Sequence, residues 1–475
     1  MKKTILTTLL IIVLASCQSD DQYENLNRDP KNPTQVAAEF TYNSAVKSLF
    51  DQMTSTNVNR NIFRLLGQHW TETTYTDEAN YDFTERNIPE NHWSELYRDV
   101  LLDLKTTKET VASDLELTDS EKSARIAQAE VLMIYTWQQL VDTFGNIPYT
   151  EALNEGILLP IYDDDTVIYS DLIDRINAVI PNISGDGFST ADKIYEGNAA
   201  AWSKFANSLK LRLGIRLTDV NPTLAQSTIS TAVTAGVFTS NADNALLIYE
   251  GSTPNTNPVW VDLVQSNRSD FIAANTLVDV MNTLNDPRRT VYFDQNLGAG
   301  IYSGGPYGAN NSFSNYTHIG EVMHLATTPG VLLDYAEVSF YLVEAAERSI
   351  VGTPANAEMH YNKAITASFD SWGVAGITGY LSNNNVAYTT AAGDWKQKSG
   401  TQMWLAMYNR GFEAWTAWRK YDAPALNLAA VSELPVPTRY TYPVNEQNLN
   451  QVNYDAASSV IGGDNQTTKL FWDVN

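Results

Sequence analysis

The sequence is poor in cysteine, histidine and basic side chains. One cysteine in 475 residues forbids an internal disulfide and any Cys-rich zinc site. With 31 Lys+Arg against 55 Asp+Glu, the formal charge is −24. That balance lacks the clustered bases that hold nucleic-acid phosphates, so nucleic acid is excluded as a partner. An anionic bilayer surface would also repel the chain, so any membrane attachment has to be covalent or hydrophobic. Past the N-terminus, no stretch approaches the roughly 18 uninterrupted apolar residues of a membrane span. Gly-x-Ser-x-Gly, Walker A, Gly-x-Gly-x-x-Gly and His-Glu-x-x-His are all missing, and with them the usual enzyme signatures. The five histidines (His69, His92, His318, His324 and His360) sit at no metal-ligand spacing and read as surface or core residues. A carboxylate pair for glycoside hydrolysis is defined in space, so that alternative stays open.

Aromatic rings are plentiful: 11 Trp, 25 Tyr and 15 Phe. Hydrophobic residues make up 43 % and charged ones 18 %, enough apolar material for a large core. At roughly 100–200 residues per domain, the length fits two to four units or one large helical one.

The first residues form an address. Lys2 and Lys3 precede an apolar run from Thr4 to Leu14, too short to span a bilayer and laid out as a cleavable signal. Leu14-Ala15-Ser16-Cys17 matches a bacterial lipobox, which predicts removal of residues 1–16 and lipid on the Cys17 thiol. Several acyl chains, at about 0.8 kcal/mol per buried CH₂, hold such a protein on a membrane without spanning it. Residues 17–33 then read as a lipidated acidic tether and N-terminal arm, and 34–475 as a single domain. Gln18-Ser19-Asp20-Asp21 is a solvated tether or a surface-export signal.

Helical periodicity dominates the rest. Thr118-Asp119-Ser120-Glu121 fits a capping box, followed by Ile126, Ala129, Met133, Trp137, Leu140 and Phe144 at three- and four-residue spacing. Gly145 and Pro148 supply the stop. Residues 198–218 repeat the pattern, and Trp404, Tyr408, Gly411, Trp415 and Trp418 fall on one stripe between 401 and 420. That stripe, like Trp93, is assigned to core. Further helices are expected near 34–53, 92–113, 166–180, 223–236, 270–284, 330–349 and 356–368, with few and short strands. The fold class is therefore mainly α, with helices in successive hairpins and tetratricopeptide-like stacking but no clean internal repeat.

Two stretches break the rhythm, 54–91 and 286–328, and loops of that length are usually functional. The first carries Trp70, Tyr75, Tyr81 and Arg86; the second carries Tyr292, Tyr302, Tyr307 and Tyr316. Tyr and Trp cover the apolar C–H face of a sugar ring while amides, carboxylates and guanidinium groups take its hydroxyls. The six tyrosines are the candidate stacking surfaces for a neutral glycan, with Trp70 and Arg86 as further contributors. No pattern requires a cofactor. Asp163-Asp164-Asp165 offers oxygen ligands to calcium but reads as a solvated helix start.

Several segments together resemble the SusD/RagB family of Bacteroidetes outer-membrane lipoproteins, in its SusD-like branch. They are Asn25-Leu26-Asn27-Arg28-Asp29-Pro30, Phe144-Gly145-Asn146-Ile147-Pro148, Arg268-Ser269-Asp270-Phe271, Asn285-Asp286-Pro287-Arg288, Tyr335-Ala336-Glu337, Pro435-Val436-Pro437 and Lys469-Leu470-Phe471-Trp472-Asp473. The resemblance implies a tetratricopeptide-like scaffold with a loop-rich functional half. It also implies an outward-facing lipid anchor in the outer membrane and a SusC-like TonB-dependent transporter as partner. Such proteins bind oligosaccharides without cleaving them, and RagB-type members are associated with peptides. The Asn-Asp-Pro-Arg and Phe-Gly-Asn-Ile-Pro segments look like scaffold.

Overall fold

The computed structural model describes residues 36–474. The signal segment 1–16, Cys17 and the tether and arm at 17–33 lie outside the described residues. Among the described residues, no helix is long and apolar enough to cross a membrane.

The chain is 53 % helical and 4 % strand, the mainly α architecture that the periodicity predicts. Helix α1 (Ala38–Thr54) packs on α2 (Leu102–Ser113) and on the π-helical turn Glu95–Leu101 that leads into it. Next, α2 packs on α3 (Asp119–Phe144) and α3 on α4 (Asp165–Val179). A second hairpin joins α5 (Ala199–Arg216) to α6 (Pro222–Ala235). After the short α7 (Asn275–Thr283) come two more hairpins. One pairs α8 (Tyr335–Glu347) with α9 (Ala357–Ser371), the other α10 (Trp395–Ala406) with α11 (Gly411–Tyr421).

Helix α3 shows how the sequence sets an element. Glu121 N–H donates to Thr118 Oγ1 at 3.3 Å and Thr118 N–H returns a bond to the Glu121 carboxylate at 2.8 Å, the full capping box. At the far end Gly145 turns the chain at φ +83°. From Ala127 to Phe144 every residue is buried, so α3 is a central helix covered on all faces rather than a surface one. Its polar residues therefore need partners. Asp142 accepts from Trp472 Nε1 at 2.8 Å and from the Tyr169 hydroxyl.

Three expected helices are corrected. Residues 330–333 form a strand, and α8 starts only at Tyr335, where Asp334 caps it by accepting the Glu337 N–H at 2.8 Å. Residues 271–273 are also strand, so the helix expected from 270 begins at Asn275. The aromatic stripe spans two helices, α10 and α11, broken between Ala406 and Gly411. There Gly411 lies so close to the 63–64 backbone that a Cβ would sit 2.6 Å from Arg64 N. Trp404, Tyr408 and Trp415 are fully buried, as the stripe requires, and Trp93 is buried too.

The acidic triplet is a helix start. Asp164 caps α4 by accepting Thr166 N–H at 3.0 Å, and Asp163 accepts Thr150 N–H at 2.8 Å. The solvated reading fails for Asp165, which is buried; burial, and then the charge of Asp164, pushes its carboxyl up to about 7. The two segments read as scaffold are interior features. Arg288 is buried and donates to Asp286 at 2.6 Å, Ser368 Oγ at 3.0 Å and Gln402 Oε1 at 3.2 Å. Phe144 O accepts from Arg439 at 2.9 Å and Pro148 O from Tyr97 at 2.6 Å.

Four short strands organise the irregular part: β1 (Trp70–Glu72), β2 (Ala245–Leu247), β3 (Phe271–Ala273) and β4 (Gly330–Leu333). β1 pairs antiparallel with β3, Thr71 opposite Ile272, and β2 pairs antiparallel with β4. A parallel bridge from Ala274 to Gly305 brings the second long loop against the same small sheet.

Candidate functional site: a polar cleft beside an exposed tyrosine

The β1–β3 pair joins segments nearly two hundred residues apart in sequence, and the chain leaving β1 turns back sharply over it. Thr73 N–H donates to Asp270 O at 2.9 Å and Thr73 Oγ1 to Ser269 O at 2.7 Å, which continues the pairing past the strand. Tyr75 and Tyr81 then take left-handed backbone, φ +55° and +70°, and the turn between them folds over Glu72. Ala79 N–H donates to the Glu72 carboxyl at 2.9 Å. Asn80 pins the turn from both ends of its amide, donating to Gly308 O at 2.8 Å and accepting Ser432 N–H at 2.9 Å.

Between this turn and the 262–271 segment lies a cleft of about 210 Å³. Tyr75 stands at its rim with 67 % of its surface exposed. Glu72, Glu78 and Arg86 line it from the turn; Asp262, Arg268 and Asp270 line it from across. Asn57 and Asn59 add amides from the segment after α1. Arg86 is ion-paired to Glu78 and Arg268 to Asp270. Among the described residues, neither Glu72 nor Asp262 is in an ion pair, although Arg60 and Arg64 act on Asp262 from farther off.

Burial sets the protonation here. It lifts the Glu72 carboxyl well above the carboxylate range, with the neighbouring charge of Glu78 adding to the effect. It also raises Glu78, against the opposing hydrogen bond from Glu72 and the charge of Arg86. Asp262 is pushed up to about 6 by burial, opposed by the Asn57 amide and Arg60.

The eight sequence candidates separate into three groups. Tyr75 and Arg86 meet at the cleft. Tyr302 and Tyr316 are half-buried on the second loop and do not line it; the Arg289 guanidinium lies 5.5 Å over the Tyr302 ring. The other four correct the sequence reading, because their rings are covered and offer a ligand no face. Trp70 is fully buried and donates to Tyr408 OH at 3.1 Å. Tyr81 is 2 % exposed and its hydroxyl accepts from Gln68. Tyr292 stacks on Tyr408 at 4.1 Å and donates to Leu405 O, while Tyr307 donates to Leu65 O at 2.9 Å. In each, the hydroxyl or, in Trp70, the indole N–H meets an internal partner, so the ring can be buried at little cost.

Sequence reasoning missed Glu72, Glu78 and Asp262, which no motif marks. Arg268 and Asp270 did stand inside a family segment. Among the described residues, one group has donors placed to share a cation: Asp294, Glu321 and His324, with ligand atoms within 4.8 Å of one another. His69 and His92 are buried and held neutral, burial pushing each down to about 3.

Stacked helix hairpins carrying an irregular, aromatic-bearing half define the class of fold. The chain belongs to the SusD-like family: residues 30–443 match its SusD-like_2 model, described as "Starch-binding associating with outer membrane". Solved structures agree in fold. A SusD homologue from Bacteroides uniformis is 25 % identical at TM-score 0.78, covering 92 % of this chain and 100 % of its own. A chitin-binding SusD homologue from Flavobacterium johnsoniae is 23 % identical at TM-score 0.78, covering 92 % and 99 %. A Bacteroidetes SusD-like protein is 22 % identical at TM-score 0.79, covering 93 % and 100 %. No curated protein matches the chain.

Proposed function

We propose that this protein is a cell-surface lipoprotein that captures oligosaccharides and delivers them to a SusC-like TonB-dependent transporter in the outer membrane. The observation that carries the reading is the Tyr75 cleft, where an exposed aromatic face borders amides, guanidinium groups and carboxyls. That is the pairing of surfaces a sugar ring needs. The family description names starch, and a homologue of the same fold is titled chitin-binding. In this reading residues 1–16 are removed, lipid on Cys17 tethers the domain that follows, and the cleft faces the exterior. Tyr302 and Tyr316 are proposed as additional ring surfaces on the second loop.

In this reading the protein binds its ligand without cleaving it, which the family description and the homologue's title support in naming binding alone.

The test is a binding screen of the lipid-free protein against starch and chitin oligosaccharides and against peptides, with a reducing-end assay on every ligand that binds. Glycan binding without released sugar supports the reading. Peptide binding alone moves the protein to RagB-type capture, and turnover makes it an enzyme.

A further inference from the structure

The two limbs of the second long loop meet at its base. Phe293 bridges Ile319, Asp294 N–H donates to His318 O at 3.1 Å, and Gly320 N–H donates to Tyr292 O at 2.8 Å. The outgoing limb therefore delivers Asp294 beside the turn Glu321–His324 on the returning one. That turn is 3₁₀, in which side chains at i and i+3 eclipse, so Glu321 and His324 leave it on one face. The ligand atoms of Asp294, Glu321 and His324 lie within 4.8 Å of one another.

Two observations separate this group from a chance meeting of acids. The first is its donor set. Glu321-Val322-Met323-His324 is a Glu-x-x-His segment, a spacing that presents a carboxylate and an imidazole to one metal. One histidine thus does sit at a ligand spacing, against the expectation from the sequence. Calcium and magnesium take all-oxygen sets, whereas an imidazole nitrogen suits zinc and its neighbours. The second observation is the want of a counter-charge. Among the described residues, neither Asp294 nor Glu321 is in an ion pair with a lysine or arginine. The charges that bear most on half-buried Asp294 are those of Glu321, His324 and His318. His318 is engaged elsewhere, its ring stacked on Phe313 at 3.8 Å and its Nε2 bonded to Phe313 O at 2.9 Å. The imidazole left for the two carboxylates is that of His324.

We infer that Asp294, Glu321 and His324 bind one divalent ion of the zinc class, which ties the two limbs of the second loop together. Zinc holds nitrogen and carboxylate oxygen at about 2.0–2.2 Å, so its ligands stand up to roughly 4.4 Å apart. Rotation of the exposed Glu321 side chain closes the remaining gap. Three protein ligands leave a fourth position for water. The inference goes beyond the glycan reading and does not depend on it: the ion braces the segment that carries Tyr302 and Tyr316, whatever those rings bind. A metal clip that closes a long loop removes much of its freedom, so residues 295–320 gain order when the ion is bound.

Calorimetry of the chelator-stripped protein, free of any polyhistidine tag, tests this with zinc chloride and separately with calcium chloride at neutral pH. The expected result is one zinc per chain, bound at least tenfold tighter than calcium. His324→Ala and Glu321→Gln should each weaken zinc at least tenfold, while His360→Ala, on α9, should leave it within about twofold. Zinc should also slow hydrogen exchange at 294–297 and 317–324 in the wild type and leave it unchanged in Glu321→Gln. If circular dichroism shows that His324→Ala is unfolded, Glu321→Gln, at an exposed position, decides the matter. Failure of the wild type to bind zinc, calcium bound as tightly as zinc, or wild-type affinity in a folded ligand variant overturns the inference. Zinc binding that leaves wild-type exchange unchanged overturns the tie between the limbs.

Discussion

Arg212 and Glu337 meet in a bidentate pair inside the scaffold, Nε to carboxylate at 2.7 Å and Nη2 at 3.0 Å, with neither side chain exposed to solvent. The pair joins α5 to α8 and is itself held from α11 and the break before it. Glu413 lies 3.2 Å from Arg212, and Arg410 donates to Glu337. Tyr341 OH adds a bond to Glu337 at 2.7 Å. Removing one member leaves an uncompensated buried charge, which typically costs about 3–5 kcal/mol. Glu337→Gln is therefore expected to lower the unfolding free energy by roughly 3 kcal/mol. A urea titration followed by circular dichroism measures it, and a loss below about 1 kcal/mol contradicts the role given to the pair.

The same network sets the acid limit. Burial alone would raise Glu337, but Arg212 and Arg410 outweigh it and hold the carboxylate at about 2. Its contribution is complete above the unfolded value of 4.5 and is lost as pH falls toward about 2. His69 and His92, buried neutral, act with the same sign: their contribution is lost as pH falls from 6.5 toward about 3. Asp165 (about 7), Asp262 and Asp473 (each about 6) and Glu72 (about 10) act with the opposite sign, stabilising as pH falls toward their unfolded values of 3.8 and 4.5. From pH 6.5 to 4.5 these four outnumber the two histidines, and below about pH 4 only the destabilising set remains. Stability should therefore rise as pH falls from 6.5 to 4.5 and then fall steeply, by about 1.4 kcal/mol per pH unit for each proton taken up. Urea midpoints at half-unit steps test the shape.

Tyrosines in the two loop regions should divide into structural and surface groups. Tyr292→Ala removes a buried ring stacked on Tyr408 and a hydroxyl bonded to Leu405 O, and should cost about 3–5 kcal/mol. Tyr75→Ala removes a ring that is 67 % exposed and should leave stability within about 0.5 kcal/mol. Thermal melts of the two variants side by side decide the assignment.

How much was legible in the sequence follows from where each residue's environment is decided. Helix α3 was readable because Thr118, Glu121 and Gly145 act within their own turn, and the periodic apolar positions need only one covered face. The loop aromatics were not separable that way. Tyr75 and Tyr307 sit in similarly polar stretches, yet the carbonyl of Leu65 takes one hydroxyl inside while a left-handed turn throws the other ring outward. The cleft was hidden for a related reason. Glu72 and Arg268 become neighbours only through the β1–β3 pairing, and three-residue strands carry little periodicity. Asp334 capping α8 right after β4 was missed because an apolar run does not say whether it is strand or helix.

Gly320 holds the second loop to its base. A Cβ there would lie 2.0 Å from Val291 O, a backbone atom that cannot turn aside. The bridge between Phe293 and Ile319 and the bond from Gly320 N–H to Tyr292 O at 2.8 Å depend on that approach. Gly320→Ala should destabilise by about 1–3 kcal/mol and raise hydrogen exchange at residues 291–294 and 317–320. Wild-type exchange in both segments would refute the contact.

The central claim is that glycans are captured at the Tyr75 cleft. Its most direct measurement is a calorimetric titration of wild-type protein and the folded Tyr75→Ala variant with one oligosaccharide ligand. The account predicts binding by the wild type and a loss of at least tenfold in affinity on removing the ring, about 1.4 kcal/mol. Equal affinities for the two proteins would contradict it and move the site away from the cleft.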